Sequence, residues 1–320
     1  MRDLMVTALS SAIFHVQLRR NRRQRESMMT RYGILKTDLG LDVSGVQTPV
    51  LQADGLLVFQ TDAYALRIDL SASMSEVFAE EGFHLDVQLA PSDRLFGLGD
   101  ENRDTLMKRG RVCDLWQTNV VCYGPVPYVM SSAGWGILIN STYRQRYDLG
   151  KTDHNQMCVD CRKGMLDFFV FLGKDMAQTL DLYTQVSGRP LLLPKAAYGL
   201  TFVCNEEEGA RDLLENCLAF RREKIPCDII GLEPGWMSKH YDFSLDKKWD
   251  EGRFYLPYWH RTIQGLPRSS ITCASLVFCS VYGCAVITIC SGRRTEARAR
   301  TIRSRWKRQP LRTPIFRPVC

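Results

Sequence analysis

Near Pro190 the spacing of apolar residues changes, and that change limits the folds open to this chain. Upstream of it, SSAIFHVQLRR, GLLVFQTDAYALRIDL and FHLDVQLA alternate apolar and polar positions. A strand sends successive side chains to opposite faces, so a period of two describes strands with one face buried. PYVMSSAGWGILINST holds two apolar stretches around a Gly-containing turn, and MLDFFVFLG is a compact apolar run. Gly, Asp and Ser clusters separate these segments, as turns between strands require. Residues 10 to about 190 therefore read as an antiparallel β-sandwich.

Downstream, PLLLPKAAYGLTFV ends in a short apolar run from Tyr198 to Val203. In EEEGARDLLENCLAFRREKIP, residues Leu213, Leu214, Cys217, Leu218 and Phe220 recur at helical spacing. Acids open this segment and Arg221, Arg222 and Lys224 close it, which matches the helix dipole. CDIIGLEPGW then supplies a second buried apolar run. Strand, helix and strand in such a short span predict a βαβ unit, hence a parallel sheet or barrel. The expected domains are a sandwich over 1–190, the start of a barrel over 191–259, and an atypical tail over 260–320.

The tail accounts for the charge. The chain carries +7, but residues 260–320 hold eleven Arg, one Lys and the lone acid Glu296. The first 259 residues carry the difference, −4, and give no electrostatic reason to bind nucleic acid. Five of twelve Cys also lie in the tail, which has no Asp and in which the strand–helix rhythm stops. The composition suits translation in a wrong reading frame, or disorder. Ile271 to Cys290 offers a membrane span as the rival, 15 of its 20 positions being apolar or Cys. In the body, Cys158 and Cys161 form a C-x-x-C without the second pair a zinc site needs, so no metal is expected. The N-terminal apolar stretch is short, and its basic run follows it. That order is wrong for a secretory signal and points to the cytoplasm.

ESMMTRYGIL, RLFGLGDENR, LWQTN (Leu115 to Asn119), PYVMSSAGWGILINST, Pro194 to Val203, and Ile229 to Phe254 follow one another along the chain. In that order they resemble glycoside hydrolase family 31, the α-glucosidase and α-xylosidase family, over roughly residues 10 to 259. ESMMTRYGIL resembles an early sandwich strand, and the last two segments resemble the first two barrel strands. The resemblance implies a galactose mutarotase-like sandwich followed by the first βαβ unit of a (β/α)8 TIM barrel. It implies a retaining α-glycosidase that hydrolyses O-glycosyl bonds, with an α-linked oligosaccharide or glycoside as partner and no cofactor. The family's nucleophile is an Asp after barrel strand four, and its acid/base is an Asp further on. The resemblance ends after strand two, so no position is assigned as catalytic. The chain is expected to be an N-terminal portion that is inactive alone. A non-catalytic carbohydrate-binding or structural sandwich module is the alternative.

Glu233 closes an apolar run and precedes Pro234 and Gly235, so it marks a strand end. The carboxyl ends of barrel strands form the active-site face. A carboxylate there can accept hydrogen bonds from neighbouring sugar hydroxyls, and Trp236 beside it can stack on a sugar ring or belong to the core. Asn119 is expected to approach from a sandwich loop. The family has Asp at the Glu233 position within a D-x-D pair, whose second Asp is Gly235 here. Asn119 likewise replaces an Asp. These changes open the specificity to a galactoside, an N-acetylated sugar or a xyloside. Asp100, Glu101 and Asp104 read as a solvated turn, His154 and His240 lack an evident partner, and Gly97 and Gly99 show no nucleotide-loop context.

Overall fold

The computed structural model describes residues 3–19, 26–75, 81–101, 105–118, 124–242, 244, 248 and 250–254, with backbone at 279–282 and 286–288. The chain divides into two units, Met1–Pro190 and Leu191–Cys320.

The first unit contains β1 (Asp3–Ser10), β2 (Ile13–Arg19), the one-turn helix α1 (Met28–Arg31), β3 (Leu56–Gln60), β4 (Ala65–Asp69) and the short helix α2 (Ser71–Met74). There follow β5 (Phe83–Gln88), β6 (Leu95–Gly97), β7 (Val112–Leu115), β8 (Tyr128–Ser131) and β9 (Trp135–Ile139). The unit closes with β10 (Gln145–Leu149), β11 (Gln156–Cys161), β12 (Leu166–Leu172) and helix α3 (Met176–Ser187). One six-stranded sheet runs β1-β2-β12-β9-β8-β6, the other β3-β4-β5-β11-β10-β7. Every strand pair in both is antiparallel. This is the sandwich that the alternation predicts.

Alternation holds where a strand has one wet face. Phe83, Leu85 and Val87 of β5 point into the core, while His84 and Asp86 point out. It fails in β12, where six successive residues are buried. Phe168 and Val170 face the core between the sheets, while Phe169 and Phe171 face a second apolar layer with Leu182 and Val186 of α3. The apolar run therefore reports a strand covered on both sides. Helix α3 starts where the Asp175 carboxylate accepts from the Gln178 N–H at 2.8 Å, and it stops at Gly188, φ +89°.

One expectation changes here. Glu26 to Leu35 is not a strand: Ser27 Oγ accepts from the Met29 N–H at 3.2 Å and starts the turn of α1. Met29, from this turn, and Leu35, beyond it, then pack against the outer apolar layer. Cys158 and Cys161 lie three apart on a strand and so face opposite ways, Cys161 into the core and Cys158 outward.

The second unit contains β13 (Thr201–Cys204), helix α4 (Ala210–Arg222), β14 (Ile229–Leu232), and strands β15 (Cys279–Tyr282) and β16 (Val286–Thr288). β13 and β14 are parallel and joined through α4, and β14 is parallel to β15. Leu213 and Cys217 of α4 pack with Cys204, Ile230 and Leu232. β15 and β16 fall within residues 260–320, the stretch read as an atypical tail, and pair antiparallel with each other. The rest of 260–320 lies outside the described residues. Among those described, no helix is long and apolar enough to cross a membrane.

Candidate functional site

All four residues of β14 are buried, and its chain leaves the sheet at Glu233. Pro234 has no N–H to continue a ladder. The chain instead forms a 3-10 turn over Pro234–Trp236, with the Trp236 N–H donating to the Glu233 carbonyl at 3.2 Å. The Glu233 side chain is exposed and makes no capping hydrogen bond. At the same end of the neighbouring strand, β13 runs on through Asn205 to Glu206, whose carboxylate meets His240 Nε2.

The two strand-end loops touch. A Cβ on Gly235 would stand 2.1 Å from the Glu206 carbonyl oxygen and 2.8 Å from Arg253 Nη1. Arg253 Nη1 donates to the Gly235 carbonyl at 3.1 Å, and the Ala210 N–H donates to the Arg253 carbonyl at 3.2 Å. The carboxyl ends of two adjacent parallel strands thus carry Glu206, Glu233, His240 and Arg253 on joined loops. Two carboxylates, an imidazole and a guanidinium give donors and acceptors for a polyhydroxylated ligand. Trp236 is 7% exposed and packs with Leu213, Met237 and Phe254, so its ring supports the loop from beneath.

Sequence spacing missed the pairing of His240, because its partner lies 34 residues away and is brought near only by strand pairing. Glu101 also departs from the solvated turn expected of it. It is 7% exposed, with Oε2 3.9 Å from Nζ of the buried Lys108, whose ammonium also donates to the Glu101 carbonyl. Burial, with the Glu101 carboxylate beside it, pushes the Cys113 thiol up to about 12. Gly97, Leu98 and Gly99 all have positive φ. A Cβ on Gly97 would lie 2.1 Å from the Tyr128 carbonyl, so these glycines serve a close chain crossing. Asn119 and Asp104 lie outside the described residues.

An antiparallel two-sheet sandwich backed by a helix defines the first unit, and residues 3–148 match the model of the Glycosyl hydrolase 31 N-terminal galactose mutarotase-like domain. Alpha-glucosidase 2 of Bacillus thermoamyloliquefaciens is 29% identical over 168 residues, which cover 49% of this chain and 21% of that protein. An alpha-xylosidase of Emericella nidulans is 25% identical over 181 residues, 53% of this chain and 23% of that protein. A solved GH31 dextranase of Flavobacterium johnsoniae, complexed with isomaltotriose, matches with a TM-score of 0.67 at 19% identity, over 87% of this chain and 35% of its own. Residues 3–148 thus carry the N-terminal domain of glycoside hydrolase family 31. The chain spans about a fifth of the length of these curated relatives.

Proposed function

We propose that this chain supplies the N-terminal sandwich and the first βαβ unit of the (β/α)8 barrel of a retaining α-glycosidase, with sugar bound at the ends of β13 and β14. The observation that carries this reading is the exposed carboxylate of Glu233 at a parallel strand end, beside the Glu206–His240 pair. Active sites of such barrels lie at that end of the strands. The likeness to the dextranase covers 87% of the chain, more than the first unit spans, which supports a common origin for the parallel part. The relatives' names support an α-glucoside or α-xyloside as substrate.

In this reading Glu233 accepts hydrogen bonds from two sugar hydroxyls, and Trp236 holds the turn that carries it. Retention needs two carboxyls about 5–5.5 Å apart, one as nucleophile and one as acid/base. Neither is assigned within this chain, so hydrolysis requires residues from further barrel strands.

The test is binding of isomaltose and of methyl α-xyloside to the purified 320-residue chain, followed by NMR. Glu233→Gln should weaken binding at least ~10-fold, since a hydrogen bond to a charged group contributes about 1.5–3 kcal/mol. Equal affinity would remove Glu233 from the site and favour a binding module that uses the sandwich surface. Turnover of an aryl α-glycoside by this chain should be undetectable, and measurable turnover would refute the placement of the catalytic pair elsewhere.

A further inference from the structure

The outer face of the second sheet carries a group of side chains that the glycosidase reading does not use. His84 and Asp86 are two apart on β5, and Cys158 lies opposite Asp86 on β11. His84 Nε2 is 2.9 Å from Asp86 Oδ2. One ligand atom from each of His84, Asp86 and Cys158 can be chosen so that all lie within 4.8 Å of one another. We propose that these three side chains bind a zinc ion, with water in the fourth position.

The donor set is the first argument. Imidazole nitrogen, thiolate and carboxylate are the three protein ligand types zinc takes, and three of them with an open position is a common arrangement. The orientation of His84 is the second. Its Nδ1 is 2.6 Å from Asp160 Oδ1, so the Nδ1–H donates to a carboxylate and Nε2 is turned toward Asp86 and Cys158. A carboxylate–histidine pair of this kind fixes the ring of a metal ligand and raises its basicity.

The acceptors and the charges agree. Asp86 Oδ1 is buried and has no hydrogen-bond partner, an oxygen that a cation can satisfy. Asp69 stands opposite Asp86 on one side, and Asp148 stands opposite Cys158 on the other, so three carboxylates and a thiol line one rung across four strands. Like charges placed opposite each other destabilise a sheet, and a cation reverses the sign of that interaction. Arg146 stands opposite Asp160 on the next rung. Binding releases the thiol proton and leaves Zn²⁺ with one thiolate, one carboxylate and one neutral imidazole, a neutral centre. The ligands sit on central strands whose inner residues Leu85, Val87 and Val159 are fully buried, so their backbone is held in place.

The test uses the full chain stripped with a chelator and titrated with Co²⁺. A thiolate-to-cobalt charge-transfer band should appear at one equivalent, vanish in Cys158→Ser, and be displaced by Zn²⁺. Asp160→Asn, which leaves the three ligands intact, should weaken zinc binding by about 10- to 100-fold. No band, or a band unchanged in Cys158→Ser and so owed to other cysteines, would overturn the site. Imidazole ¹⁵N spectra of the unmutated chain give a second reading that no folding defect can blur. Zinc should shift Nε2 of His84, and an unmoved resonance rejects the proposal.

Discussion

Gly235 shows how one missing side chain shapes the strand-end loops. Its Cβ position is occupied by the Glu206 carbonyl oxygen at 2.1 Å, a contact that backbone cannot relieve by a rotamer change. An Asp at 235 therefore does not fit this arrangement of loops. Gly235→Asp should destabilise the second unit by about 1–3 kcal/mol through overpacking. Faster amide exchange over residues 229–237 would report it. Gly45, with nothing within 4 Å of its Cβ position, supplies a neutral control as Gly45→Ala. Amide exchange of Gly235→Asp equal to the control would show that the loops can separate freely.

At the scale of elements, β12 shows what a strand covered on both sides demands. Its Asp167 is 1% exposed within the layer beneath α3 and accepts from His15 Nε2 at 2.7 Å and from Gln17 Nε2 at 2.9 Å. His15 also stacks on Phe169, with centroids 4.1 Å apart. Asp167→Ala would leave two donors without an acceptor, one of them on the buried His15, and should cost about 2–4 kcal/mol, each orphaned group contributing about 1–3 kcal/mol. Urea unfolding measures this, and a loss below about 0.5 kcal/mol would mean that water satisfies both donors. Strands such as β4 and β5 were legible in the sequence because each has a wet and a dry face. Helix α3 was not, because it buries only Thr179, Leu182 and Val186 and leaves Leu180 exposed. Glu233 was legible because Pro234 marks a strand end locally. The partners His240–Glu206 and His84–Cys158 were not, since register alone brings them together across the chain.

For the whole molecule, the two units differ in how much apolar surface they close over. The first has a core between its sheets, with Leu57, Ile68, Leu85 and Phe168 at 0% exposure, and a second layer under α3. In the second, Tyr198, Leu200 and Val203 are 62%, 50% and 53% exposed. Burial of a large apolar side chain is worth about 1.5–3 kcal/mol, so three exposed ones forgo a large part of a domain's net ~5–15 kcal/mol. The second unit should therefore open at lower free energy than the first. Between them, Leu191, Leu192 and Leu193 are 68%, 95% and 48% exposed and belong to no helix or strand. Exposed leucines without secondary structure suit a chymotrypsin-like protease. Limited digestion should thus leave a resistant product ending near residue 190, while residues beyond it are degraded. Trypsin should spare the Arg189–Pro190 bond and cut after the exposed Lys195. Mass spectrometry of the time course identifies the product. Equal survival of peptides from 201–254 and from 128–172 would show that the second unit is as stable as the sandwich.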